Sequence, residues 1–113
     1  MTELVELHVE ALGDLVLAQL KGEVDLSNAS VLRERLLGSV PNTASGLVLD
    51  LTETYHLDSS GVRLVFELAN RLGNRGQKLE LVAPDDSAAR RVLVLTEVHQ
   101  VVPLFTSVDA VLH

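Results

Sequence analysis

Apolar and polar side chains alternate at the start of the chain, with Leu4, Glu6 and His8 on one side and Val5, Leu7 and Val9 on the other. A period of two is that of a strand, so an edge strand is predicted here. Gly13-Asp14 is a turn signal. Beyond it, Leu15, Leu17 and Gln19 alternate with Val16, Ala18 and Leu20, and the two segments read as a hairpin. Gly22-Glu23-Val24-Asp25 breaks the strand pattern. The spacing then becomes helical over residues 31–37, where Leu32 and Leu36 lie one turn apart. The apolar members fall on one side and the charges on the other. Ser27 or Asn28 can cap this helix, because a short side-chain oxygen satisfies orphan N–H groups.

After a polar loop from Pro41 to Gly46 comes Leu47-Val48-Leu49-Asp50-Leu51. A near-continuous apolar run of strand length predicts a strand covered on both faces. Thr52 to Asp58 reads as a loop, and Ser59-Ser60 opens a second helix. On it Val62, Val65, Phe66, Ala69 and Leu72 share one face, while Arg63, Glu67, Asn70 and Arg71 share the other. Leu64 and Leu68 flank the polar face. They are either part of a wide buried stripe or a partly exposed ridge that meets a partner. Asn74-Arg75-Gly76 ends the helix.

Leu79, Leu81 and Ala83 alternate with Glu80 and Val82 in a further strand. Pro84-Asp85-Asp86-Ser87 is a turn and cap before a third helix from Ala88 to Thr96. Val101, Val102, Leu104 and Phe105 predict a last short strand, at an edge because Pro103 interrupts it. Ser107 caps a short final helix. The order predicts the α/β class: a mixed sheet with an N-terminal hairpin and about four helices packed against it. Strands separated by helices should run parallel, since a helix makes each crossover. Without repeats or a linker, residues 1–113 are expected to form a single domain.

Composition narrows the function. The core must be aliphatic, because 47% of residues are hydrophobic and only 3% aromatic. A net charge of −7 gives no basic footprint for nucleic acid and no attraction to an anionic membrane. The absence of cysteine removes disulfides and thiol chemistry. Met1 to Glu10 lacks the basic start and apolar stretch of a signal peptide, and no apolar run approaches a membrane span. A cytoplasmic protein is expected.

Candidate chemistry is sparse. His8, His56, His99 and His113 share no metal-ligand spacing, so no metal site is expected. His56 precedes Ser59 by three residues, which allows a His–Ser nucleophile pair to be imagined. There is, however, no Gly-x-Ser-x-Gly elbow and no third orienting group. Gly73 and Gly76 do not form a phosphate loop. No cofactor and no catalytic activity are expected, and turnover by the purified protein alone would overturn this. The distinctive stretch is Tyr55-His56-Leu57-Asp58-Ser59-Ser60-Gly61-Val62, a loop that delivers two hydroxyls to a helix start. On its own it needs no more than an N-cap, since Asp58, Ser59 and Ser60 are all good caps.

The order of Gly22-Glu23-Val24-Asp25, Leu47-Val48-Leu49-Asp50-Leu51 and Asp58-Ser59-Ser60-Gly61 resembles the STAS domain (sulfate transporter and anti-sigma-factor antagonist). Ser87-Ala88-Ala89-Arg90-Arg91-Val92-Leu93 is similar to that family's third helix. The likeness runs from Leu15 to Leu112, most closely to the anti-sigma factor antagonists. It implies phosphorylation at Ser59, directly after the aspartate, with Ser60 the second choice. It also implies a partner surface made from Asp25, Asp58, Ser60, Gly61, Arg63 and Leu64. The implied partners are an anti-sigma factor serine kinase, which itself binds the ATP, and a phosphatase. An accessory STAS subunit of a transporter or stress-signalling complex is the alternative. The sequence departs from the pattern at Arg63, where many relatives carry glycine. It departs again at Thr96-Glu97-Val98, where many carry Thr-Gly-Leu.

Overall fold

A computed structural model describes residues 4–113. It contains one six-stranded mixed sheet and four α-helices. Strands β1 (Val5–Leu12) and β2 (Leu15–Val24) form the antiparallel hairpin, with Leu12 opposite Leu15 around the Gly13 turn. Gly13 has a φ of 63°, a left-handed value that glycine adopts without steric cost. Helix α1 (Ala29–Gly38) follows, then β3 (Gly46–Asp50), β4 (Thr54–Leu57) and helix α2 (Ser59–Asn74). The chain ends with β5 (Lys78–Val82), α3 (Ala88–Leu95), a 3-10 turn (Val98–Gln100), β6 (Leu104–Phe105) and α4 (Val108–Leu112). The sheet order is β1-β2-β3-β5-β6, with β4 also pairing with β2. β2–β3, β3–β5 and β5–β6 are parallel, so the mixed α/β expectation holds.

Two layers of core flank the sheet. Strand side chains alternate between faces, and one set comprises Ala18 and Leu20 of β2, Leu47 and Leu49 of β3, and Leu79 and Leu81 of β5. These pack against Leu32 and Leu36 of α1, Leu68 and Leu72 of α2, and Leu93 of α3. The other set, Leu15, Leu17, Val48 and Val82, is covered by Val108 and Val111 of α4. All five residues of β3 are buried, as its apolar run predicts. Ser107 accepts a hydrogen bond from the Ala110 N–H at 3.1 Å and so starts α4.

Several sequence expectations are corrected. Residues 52–58 are not all loop, because 54–57 form β4. β2 has ten residues, but β3 pairs only with Leu15 to Gln19. The end of β2 therefore needs another partner, and β4 supplies it in parallel at Gly22, Glu23 and Val24. The Thr54 hydroxyl also donates to the Leu20 carbonyl at 2.7 Å. β4 escapes sequence recognition because Thr54 and Leu57 are buried while Tyr55 and His56 between them are exposed, which is not alternation. Gly22 does not end its strand either. The register shifts between Gly22 and Glu23, and Gly22 takes a φ of 122°. A Cβ there would collide with the Leu4 carbonyl oxygen, so the position demands glycine.

The last strand is shorter than expected, because the N–H groups of Val101 and Val102 bond back to the Val98 carbonyl behind a 3-10 turn at 98–100, and only Leu104–Phe105 pairs. Val31 lies on the charged side of α1 and is 60% exposed. On α2 the buried stripe is wider than the five residues expected: Leu64 and Leu68 are 2% and 0% exposed, whereas Phe66 is 38% exposed. The ridge reading of Leu64 therefore fails. The side chain that reaches solvent from the apolar side of α2 is Phe66.

Candidate functional site

The site grows out of one sheet end. Val24 of β2 and Leu57 of β4 are register partners in parallel strands. The residues that follow them, Asp25 and Asp58, consequently emerge side by side, since neighbouring strands stand about 4.8 Å apart. The carboxyl end of parallel strands is where the loops of an α/β sheet gather into a site. The Asp58 N–H donates to the Val24 carbonyl at 3.3 Å, which ties the two exits together.

Asp58 is the N-cap of α2. Its Oδ1 accepts from the N–H groups of Ser60 at 2.8 Å and Gly61 at 3.2 Å. Of the three residues able to cap, Asp58 does so. Ser59, the first helical residue, is exposed, and its hydroxyl enters no hydrogen bond among the described residues. Ser60 is half-buried. Gly61 lies where the helix presses on the strand ends. A Cβ there would collide with the Leu57 side chain and stand 3.3 Å from Val24 Cγ1.

Asp25 shapes the adjoining loop. Its Oδ1 accepts from both the backbone N–H and the hydroxyl of Ser27. Asn28, the residue before α1, does not cap the helix with its side chain. Its amide instead accepts from the Asp25 N–H at 3.1 Å and donates to the Glu23 carbonyl at 2.9 Å. The Ser27 hydroxyl and N–H hold the Asp25 carboxyl below the usual aspartate value, with the nearby His56 adding to the effect. No hydrogen bond links His56 to Ser59 among the described residues.

Between the first turns of α1 and α2 lies a shallow groove of about 350 Å³. Leu26, Ser30 and Arg33 line one wall, and Ser59, Ser60, Arg63 and Glu67 line the other. Arg33 spans it, donating to Glu67 at 2.9 Å and to Glu34 at 3.0 Å. These two carboxylates raise the Arg33 pKa. A second shallow surface runs along α2 past Ser59, Val62, Arg63 and Phe66. Sequence reasoning missed Leu26, Arg33 and Phe66 as site residues. Leu26 carried a signal, an isolated large apolar residue between Asp25 and Ser27, and it is 82% exposed. The Arg33–Glu67 pair joins residues far apart in sequence and had no signal.

No group of three or more His, Cys, Asp or Glu side chains is placed to hold a metal among the described residues. No helix among them is long and apolar enough to cross a membrane.

The fold and site define a mixed-sheet α/β domain that presents an unengaged serine at a helix start, beside two carboxylates. The chain belongs to the STAS domain family, whose model matches residues 6–111. It is similar to the crystal structure of an anti-sigma factor antagonist from Mycobacterium paratuberculosis. The TM-score there is 0.84, with 25% identity over 96% of this chain and 91% of that one. The anti-sigma factor antagonist SpoIIAA in its unphosphorylated form gives a TM-score of 0.74 at 19% identity, covering 94% of this chain and 93% of that one. The Bacillus cell fate determinant SpoIIAA in the phosphorylated form gives 0.68 at 19% identity, covering 94% and 96%. The two likenesses to SpoIIAA speak for the fold alone. Among curated proteins, none matches the chain.

Proposed function

We propose that this domain is an anti-sigma factor antagonist, a binding protein and not an enzyme. Its unphosphorylated form binds an anti-sigma serine kinase in the cytoplasm and so frees the sigma factor. The kinase then transfers a phosphoryl group from its own bound ATP to Ser59. The Ser59 Oγ–P bond forms as the bond from the γ-phosphorus to ADP breaks, and the hydroxyl proton passes to a base on the kinase. A phosphatase reverses the step. The likeness to the Mycobacterium paratuberculosis antagonist supports this role.

The observation that carries the choice of Ser59 is its freedom from structural duty. It is exposed at the first position of α2, while Asp58 does the capping. Phosphorylation adds close to two negative charges. Beside Asp58 and Asp25, that charge makes the surface hostile to a partner matched to a neutral hydroxyl, and the core is untouched. Asp25, Asp58, Ser60 and Arg63 flank the acceptor and form the recognition surface, whereas Gly61 is buried and serves by letting α2 approach Leu57 and Val24.

Incubation with the cognate kinase and ATP, followed by mass spectrometry, tests the assignment. Phosphate on Ser59, abolished in Ser59→Ala, is the expected result, with Ser59→Ala still bound and Ser59→Asp bound weakly. Phosphate on Ser60 alone would move the site by one residue. No phosphate on either serine, together with co-purification with a membrane ATPase or large complex, would replace this reading by that of an accessory subunit.

A further inference from the structure

A phosphate at a helix start is ordinarily held by free N–H groups of the first turn. Here most of those groups are already used, and only the N–H of Ser59 itself has no partner among the described residues. The N–H groups of Ser60 and Gly61 donate to Asp58 Oδ1, and that of Val62 donates to the Asp58 carbonyl. A phosphoryl group on Ser59 would also stand next to the Asp58 carboxylate, which repels it. It needs a cation, and two line the groove. Arg33 is already neutralised by Glu67 and Glu34. Arg63 is exposed and makes no ion pair among the described residues.

Arg63 follows Ser59 by four residues on α2, and both side chains line the same two surfaces. Residues so spaced have Cβ atoms about 5–6 Å apart. Helical side chains lean toward the N-terminus, which brings the Arg63 stem back over Ser59. An anion N-terminal to a cation at this spacing is the favourable orientation. A guanidinium also matches two phosphate oxygens at once.

We propose that Arg63 is the internal counter-ion for phosphorylated Ser59, clamping the phosphoryl group along the first turn of α2. The clamp rests on the reading of Ser59 as the modified residue. It adds a second consequence to the charge change. Phosphorylation withdraws the one uncommitted cation of the groove from the partner surface, so the partner loses an attraction as well as meeting a repulsion. Arg63 is in this sense a positioning residue for the phosphorylated state.

The test places phosphoserine at position 59 during translation, without any kinase, in the full chain and in its Arg63→Gln and Arg63→Lys variants. Phosphorus NMR then follows the second ionisation of the phosphate with pH. The nearby charges that act on it are Asp25, Asp58, His56, Arg33 and Glu67, and these are common to all three proteins. The clamp lowers that pKa in the parent by about 0.2–0.4 unit relative to Arg63→Gln, from the size of helical ion pairs. Arg63→Lys should recover part of the shift, because lysine keeps the charge and loses the fork. Thermal melts with and without phosphate give an independent readout. Phosphate should lower the melting temperature more in Arg63→Gln than in the parent, whereas a merely structural arginine would shift both forms equally. Equal pKa values in parent and Arg63→Gln would overturn the clamp and leave the kinase reading intact. A kinase that leaves Ser59 unmodified, seen separately by mass spectrometry, would remove the reading on which the clamp rests.

Discussion

The division of labour between Asp58 and Ser59 can be measured. Asp58 Oδ1 accepts two backbone N–H groups at the start of α2, at 2.8 and 3.2 Å. Ser59 accepts none among the described residues. Replacing an N-cap aspartate by alanine costs about 1 kcal/mol, and up to roughly 2 in proteins. Asp58→Ala should therefore destabilise by about 1–2 kcal/mol, which in a chain of 113 residues lowers the melting temperature by about 4 °C per kcal/mol. Ser59→Ala removes an exposed hydroxyl from the first helical position and replaces it by a better helix former. It should stay within about 0.5 kcal/mol of the parent. Asp58→Asn keeps the cap oxygen without the charge, and asparagine caps as well as aspartate, so it should fall near the parent as well. Urea unfolding followed by circular dichroism reads all three, with the slope unchanged if the folded state is otherwise intact. A Ser59→Ala loss equal to that of Asp58→Ala would refute the assignment of the cap. It would also make every binding experiment on Ser59→Ala ambiguous, because folding and recognition would no longer separate.

Three further outcomes follow from the same geometry. Leu64→Ala should cost about 2–5 kcal/mol, because it empties a buried position, whereas Phe66→Ala should cost less stability and weaken kinase binding; the reverse order in denaturation and pull-down would contradict the placement of α2. Asp25→Asn should slow phosphorylation by the cognate kinase with little change in melting temperature, since asparagine retains an oxygen for Ser27, and equal rates would count against a recognition role for Asp25. Ser27→Ala should raise the Asp25 pKa, seen by carboxyl NMR titration, because it removes the largest influence that lowers it. A depressed carboxylate pKa contributes stability above the unfolded value near 3.8 that is lost as pH falls through the folded value, so this contribution belongs to the acid limb alone.

What the sequence made legible followed regular periods. The hairpin alternation, the fully apolar β3 and the helical spacing of α2 each repeat often enough to declare their class. β4 did not, because four residues with exposed Tyr55 and His56 in the middle carry no period. Its existence is dictated from outside, by the unpaired end of β2. The sequence left Leu64 open between a wide buried stripe and an exposed ridge for a related reason. The stripe on α2 is set by the two layers it must fill, against the sheet and against α1, and a single helical face understates it. At the site, Asp25, Asp58 and Ser59 could be named because their motif is contiguous or resembles a family pattern. The Arg33–Glu67 pair could not, since only the folded chain brings the two helices together.

On the proposed role, the position of Ser59 also explains how phosphorylation there would act on binding and spare the fold. A residue that must be switched cannot also hold a helix end together, or each phosphorylation would risk the helix. The adjoining Asp58 removes that conflict by taking both cap hydrogen bonds. Val24 and Leu57 fix Asp58 from below through strand pairing, and the close approach at Gly61 fixes the helix above it. The Ser59 hydroxyl is thus exposed on a frame that does not depend on it. The cost of that arrangement is that the N–H groups of Ser60 and Gly61, which could otherwise hold phosphate, are occupied. In the proposed phosphorylated state the charge would then fall largely to a side chain, and the sequence supplies an arginine at position 63, one turn along the same face. Departure from the family pattern and departure from the usual phosphate site therefore meet in one residue.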